Sequence, residues 1–94
     1  MKRADVTIAN RLGLHARPSA ALTQLATRFS SDVFLSKGTR RVNGKSIMGV
    51  MMLAAAQGTV IVVETDGEDE DKALDAIVGL IESGFGEEMA DKGR

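Results

Sequence analysis

One proline occurs in the chain, Pro18, and it dictates where the first helix begins. A proline ring fixes φ and lacks an N–H, so a helix tolerates it only in the first turn. Downstream, Leu22, Leu25, Ala26 and Phe29 fall at i, i+3, i+4 and i+7, which is one face of a helix. The spacing predicts a helix from Ala16 to about Phe29, starting beside His15. The flanking segments have a different period. Residues 4–9 alternate apolar and polar, the pattern of a half-buried strand, and residues 32–37 are β-like. Asn10 to Leu14, with Gly13, reads as the loop between the first strand and the helix.

The remainder continues the alternation. Lys37-Gly38-Thr39 is a turn, so Arg40 to Asn43 is expected to return as a hairpin partner. Asn43-Gly44 is a second turn. Ser46 then precedes an apolar stretch that suits a short helix over 47–54, with Ser46 as its N-cap and Gln57-Gly58 ending it. Thr59 to Thr65 is rich in Val and Ile and reads as a central strand. Asp66-Gly67 turns the chain. Four consecutive acids, Glu68 to Asp71, sit where a helix macrodipole favours negative charge, and Leu74, Ile77, Val78 and Ile81 give that helix its apolar stripe. Gly84 is a stop, and residues 86–94 read as a frayed polar tail. The order β-α-β-β-α-β-α implies one small sheet with helices on one face.

The 94 residues make a single domain, and with no cysteine its apolar core must hold unaided. Thiolate metal sites are excluded, and so are cages built on several histidines, because His15 is the only one. The longest apolar run, residues 47–56, is ten residues, against about 18 for a membrane span. No stretch of signal-peptide character precedes Arg11, so a cytoplasmic location is expected. Net charge is −1, but it is divided unevenly. Residues 1–45 carry nine Lys/Arg against two acids (+7), and residues 46–94 carry three against eleven (−8). A basic first half suits an acidic partner. With three Phe and neither Tyr nor Trp, a base-stacking nucleic-acid surface is hard to build.

Gly13-Leu14-His15-Ala16-Arg17-Pro18 concentrates the chemistry. Gly13 allows a tight loop that lifts the next residues from the surface. His15 at a helix start faces the unsatisfied N–H groups of the first turn, notably Ala16 and Arg17, which attract anions. The Arg17 guanidinium can fork onto phosphate oxygens. Positive surroundings disfavour the imidazolium, so a neutral ring with a nucleophilic lone pair is expected at cellular pH. A lone His near a helix start is more commonly a polar cap. Helix starts prefer acids, however, and an anion site accounts for the His–Arg pair. Phosphate binding without covalent chemistry is also compatible with these residues. Gly44-Lys45-Ser46 lacks the earlier glycine of a nucleotide-binding loop. A phosphate on His15 must therefore come from a partner and leave to another, making the chain a carrier and not an enzyme in itself.

Ser46 has an ordinary reading as a helix cap and a sharper one as a phosphorylation site, where a phosphate would be stabilised by the helix terminus. The helix after it has almost no polar face, which points to a docking patch on Ile47, Met48 and Met51.

These residues resemble the HPr family, the histidine-containing phosphocarriers of the bacterial phosphoenolpyruvate-dependent phosphotransferase system. The resemblance covers residues 4–85. Three stretches carry it: Gly13 to Pro18, Asn43-Gly44-Lys45-Ser46-Ile47-Met48, and Gln57-Gly58-Thr59. It implies an α+β open-faced sandwich, four antiparallel strands under three helices. It implies that His15 takes a phosphoryl group from enzyme I at Nδ1, aided by Arg17, and passes it to a histidine of an enzyme IIA protein. Ser46 would be the target of an ATP-dependent HPr kinase/phosphorylase. Ala20 joins Ile47, Met48 and Met51 as a docking contact. No cofactor, metal, nucleic acid or membrane insertion is implied, and a monomer is expected. Gln24 and Thr27 are neutral where family members often carry lysines, and Ser83-Gly84-Phe85 resembles the nitrogen-related branch of the family. A rival reading is a signalling adaptor that binds regulators through residues 46–54 with His15 silent.

Overall fold

The computed structural model describes residues 1–86. Its elements run β1 (Lys2–Thr7), α1 (Ala16–Ala26), β2 (Asp32–Lys37), β3 (Arg40–Asn43), α2 (Ile47–Met52), β4 (Val60–Asp66) and α3 (Glu70–Glu82), followed by a 3₁₀ turn at Gly84–Gly86. The four strands form one antiparallel sheet in the order β1-β4-β2-β3. This is the open-faced sandwich with three helices on one side. The order places the last strand in the middle. That is why 60–66 is the richest segment in Val and Ile, being paired on both edges.

Alternation along the strands divides the two faces. Val6, Val33, Leu35, Ile61, Val63 and Thr65 turn inward and are buried. Above them, Leu22 and Ala26 of α1, Val50 of α2 and Ile77 and Ile81 of α3 close the core. Each fully buried Leu, Ile or Val contributes roughly 1.5–3 kcal/mol of transfer free energy. The opposite face is open. There the Arg41 guanidinium lies 3.9 Å from the Phe34 ring centroid, and its Nε donates to Glu64 at 3.1 Å.

Several boundaries move from their expected places, each for a local reason. β1 lies at 2–7 and not 4–9, because β4 runs on to Asp66 and pairs Thr65 with Lys2. α1 stops at Ala26, where Arg28 and Phe29 donate to the carbonyls three residues back and tighten the chain out of helix. α2 stops at Met52, since Ala54 takes a left-handed φ of 51°. The polar tail expected over 86–94 lies outside the described residues, except for Gly86.

The acids ahead of α3 divide their work. Glu70 and Asp71 occupy the first turn. Asp69 is the N-cap residue, but its carboxylate reaches back across the fold and caps nothing in α3. One oxygen accepts from the Ser30 N–H at 3.0 Å. The other accepts from the Ser31 N–H at 2.9 Å and from the Ser31 hydroxyl. Gly67 (φ 153°) lies against the same segment, and a Cβ there would sit 2.6 Å from Ser31 Oγ. The α1–β2 loop is thus clasped to the start of α3.

The Ser31 hydroxyl, followed by the two backbone donors, lowers the Asp69 pKa to about 2. A carboxyl depressed in the fold contributes stability that is fully present above the unfolded value of about 4, and loses it as pH falls towards 2. Asp69→Ala is therefore expected to be less stable than the parent at neutral pH, with the gap closing between about pH 4 and pH 2. Urea unfolding at pH 7, 4 and 2.5 measures it; a gap independent of pH would remove the carboxylate from the account.

Candidate functional site

The approach to α1 is built by backbone contacts. After β1, Ile8 exchanges hydrogen bonds with the turn before β4: its N–H donates to Thr59 O and its carbonyl accepts from Gly58, both at 2.9 Å. The buried Asn10 donates Nδ2 to Gly13 O at 2.9 Å. Gly13 has φ +71°, and a Cβ there would lie 2.5 Å from Ala55 O and 2.9 Å from Ala56 Cα. Leu14 buries its side chain and donates its N–H to Ala55 O at 2.9 Å. The loop is pressed onto the segment that follows α2. The expectation that Gly13 lifts it from the surface is corrected: the glycine serves close approach.

That contact delivers His15 to the N-cap of α1, with extended backbone at φ −91°, ψ −168°. Its carbonyl accepts the Ser19 N–H at 3.0 Å, the first i to i+4 bond of the helix, and its own N–H is taken by Gly13 O at 3.0 Å. The imidazole makes no capping bond to the helix. Of the four N–H groups a helix start leaves without intrahelical partners, His15 has used one and Pro18 has none to offer. Ala16 and Arg17 supply the remaining two. Both residues are exposed, whereas His15 and Ala20 are half-buried. The first turn contains no acid, so the positive end of the dipole is not offset from within. Two backbone donors and a dipole end beside a histidine, with an exposed arginine two residues on, can hold a phosphate and the ring that carries it.

The second group sits on α2. Asn43 O accepts the Ser46 N–H at 3.1 Å, Asn43 Oδ1 accepts the Lys45 N–H at 2.8 Å, and the Gly44 N–H reaches Val33 O at 2.7 Å. These bonds fasten the turn to β2 and place Ser46 at the N-cap, where its Oγ accepts the Gly49 N–H at 3.1 Å. Val50 and Leu53, three apart, bury against the core. The same spacing leaves Ile47, Met48, Met51 and Met52 exposed. At the far end, the β2–β3 hairpin closes on the helix: Arg40 Nη1 donates to Met52 O at 3.0 Å and Lys37 Nζ to Ala54 O at 3.2 Å. Cations beside these carbonyls complement the negative end of the helix.

His15, Ala16 and Arg17 thus share one helix start, Ser46 and the apolar residues share α2, and the Leu14–Ala55 bond joins the two groups. Sequence reasoning missed the Ala54–Ala56 seat, Lys37 and Arg40, whose contacts cross between elements and leave no periodic trace. It also missed Leu12, an exposed apolar residue in the loop before His15. An isolated leucine between turn residues was the available signal.

A family model described as the PTS HPr component phosphorylation site matches residues 2–83. The phosphocarrier protein HPr of Cupriavidus necator is 58% identical over 87 residues, 93% of this chain and 98% of that protein. A crystal structure of HPr from Thermoanaerobacter tengcongensis superposes with TM-score 0.91 at 48% identity, covering 95% of this chain and 100% of that one. An HPr dimer from the same organism matches at TM-score 0.74 and 48% identity, covering 93% and 100%.

Two substitutions test the geometry in urea unfolding. Gly13→Ala forces a positive φ and drives a methyl into Ala55, so it is expected to cost more than about 1 kcal/mol. Ser46→Ala removes one cap and is expected to cost about 1 kcal/mol. A neutral Gly13→Ala would show that the loop is not seated on Ala55.

Proposed function

The chain belongs to the HPr phosphocarrier family of the phosphotransferase system, and we propose that its His15 carries a phosphoryl group from phospho-enzyme I to a histidine of an enzyme IIA protein. The observation that carries this reading is the placement of His15 at the head of α1. The first turn there offers backbone donors without an acid. In the forward step a ring nitrogen, Nδ1 on the family's pattern, gives its lone pair to phosphorus as the bond to the donor histidine breaks. The negative oxygens then meet the Ala16 and Arg17 N–H groups and the Arg17 guanidinium. The same contacts stabilise the leaving phosphoryl group in the next transfer. The donor and acceptor proteins supply the rest of the machinery, so the chain acts as carrier and not as catalyst.

Ile47, Met48 and Met51, together with Ala20, form the surface that meets enzyme I, and the basic first half attracts acidic partners. Ser46 is the regulatory position. A phosphate added by an HPr kinase/phosphorylase would keep a helix-start environment while planting about two negative charges beside the docking residues. The protein works as a cytoplasmic monomer on a carbohydrate or regulatory enzyme IIA.

Incubation with enzyme I and labelled phosphoenolpyruvate is expected to add one acid-labile, base-stable phosphate, absent from His15→Ala; label persisting in that variant would overturn the assignment. Arg17→Ala is expected to slow transfer by about 10- to 100-fold, the loss of one charge-assisted contact. HPr kinase with ATP should add an acid-stable phosphate that Ser46→Ala lacks. Ser46→Asp, which retains a good N-cap, should raise the KM for this chain in the enzyme I reaction with little change in unfolding. An unchanged KM would leave Ser46 as a cap alone.

A further inference from the structure

We propose that Met48, Met51 and Met52 form an oxidation site through which peroxides weaken the docking of this chain to its phosphoryl donor. The inference rests on the reading of α2 as the docking surface. The chain contains five methionines and no Cys, Trp or Tyr, so thioethers are its most readily oxidised side chains. Three of them occupy a single six-residue helix, at 69%, 39% and 58% exposure. No methionine belongs to the buried core among the described residues, since α2 is anchored by Val50 and Leu53.

The placement separates two consequences that usually travel together. Oxidation of a core methionine disrupts packing. Here the three residues are exposed and none belongs to the buried core, so the fold should persist. What changes is the character of the patch. A lone pair on the thioether sulfur attacks a peroxide oxygen. The S–O bond forms as the O–O bond breaks, sulfur is oxidised by two electrons, and the departing hydroxide leaves as water after proton transfer. The sulfoxide is a strong acceptor in the middle of an apolar contact. On docking it must be desolvated, and the flexible apolar side chain that adapts to a partner is replaced by a polar one. Met52 lies one residue from Met51 and its carbonyl is held by Arg40, so oxidation there leaves the end of the helix in place while altering its rim.

The experiment treats the whole protein with hydrogen peroxide and locates each 16-Da addition by peptide mass spectrometry. The rate of phosphorylation by enzyme I is then measured against the concentration of this chain. Oxidised protein is expected to show a KM raised about tenfold with little change in kcat or in thermal unfolding. Treatment with methionine sulfoxide reductases should restore it. The triple variant Met48→Leu/Met51→Leu/Met52→Leu is scored as the ratio of its own treated to untreated KM, and a ratio near one is expected whatever its starting value. An unchanged KM in parent protein shown to be oxidised on α2 would overturn the proposal. So would an equal loss in the triple variant, which would trace the effect to Met1 or Met89. If the untreated chain accepts no phosphoryl group from enzyme I, the carrier reading fails, and that outcome is separate from any response to peroxide.

Discussion

The contact on which the rest of the molecule depends is the seating of the Gly13–Leu14 loop on the carbonyl of Ala55. One N–H···O bond and one absent side chain fix how the first helix begins relative to the end of the second. Both partners are themselves held: the loop by Asn10 and the turn before β4, the seat by the left-handed Ala54 and the Lys37 ammonium. A histidine at a helix N-cap is ordinary. A histidine whose approach is clamped at Ala55 has few ways to move, and the proposed transfer between two partners would gain from that.

The electrostatics follow from the same arrangement. α1 begins without acids, whereas α3 begins with Glu70 and Asp71 in its first turn and has its positive end answered from within. The two helix starts are opposite designs in one small domain. The acids of α3 serve stability, because Glu70 accepts the Gly67 N–H and Asp69 fastens the 30–31 segment. The bare start of α1 forgoes that stabilisation, typically 0.3–1 kcal/mol, and leaves its donors for an incoming anion. Local instability of this sort is intelligible where a site must remain receptive.

Much of this was legible in the sequence because it obeys short-range rules. Pro18 located α1, Ser46 located α2, and strand alternation separated the two faces of the sheet. The βαββαβα order and one-sided helix packing followed. Other features were not legible because they are contacts between distant elements. Asp69 read as a dipole partner for α3, and its carboxylate instead spans to Ser30 and Ser31. Gly13 read as freedom for a loop, and it is instead the space that Ala55 fills. Lys37 and Arg40 read only as parts of a turn and a hairpin strand, and their side chains reach across to the carbonyls of Ala54 and Met52 at the end of α2. In each case the residue type was informative and its partner was not, since nothing in a local pattern names a residue dozens of positions away.

The shortness of α2 explains how one element can serve fold and recognition together. Six residues give fewer than two turns, so Val50 and the C-cap Leu53 reach the core while Ile47, Met48, Met51 and Met52 face out. Such a helix is too short to hold itself by propensity. Its stability comes from its ends: the Ser46 cap on one side and two cations from the hairpin on the other. Because the ends carry the stability, the middle is at liberty to be apolar and adaptable. A charge placed at Ser46 would bear on docking through its field, while the cap geometry survives. That separation is what would let the proposed modification at Ser46 alter recognition without unfolding the domain beneath it.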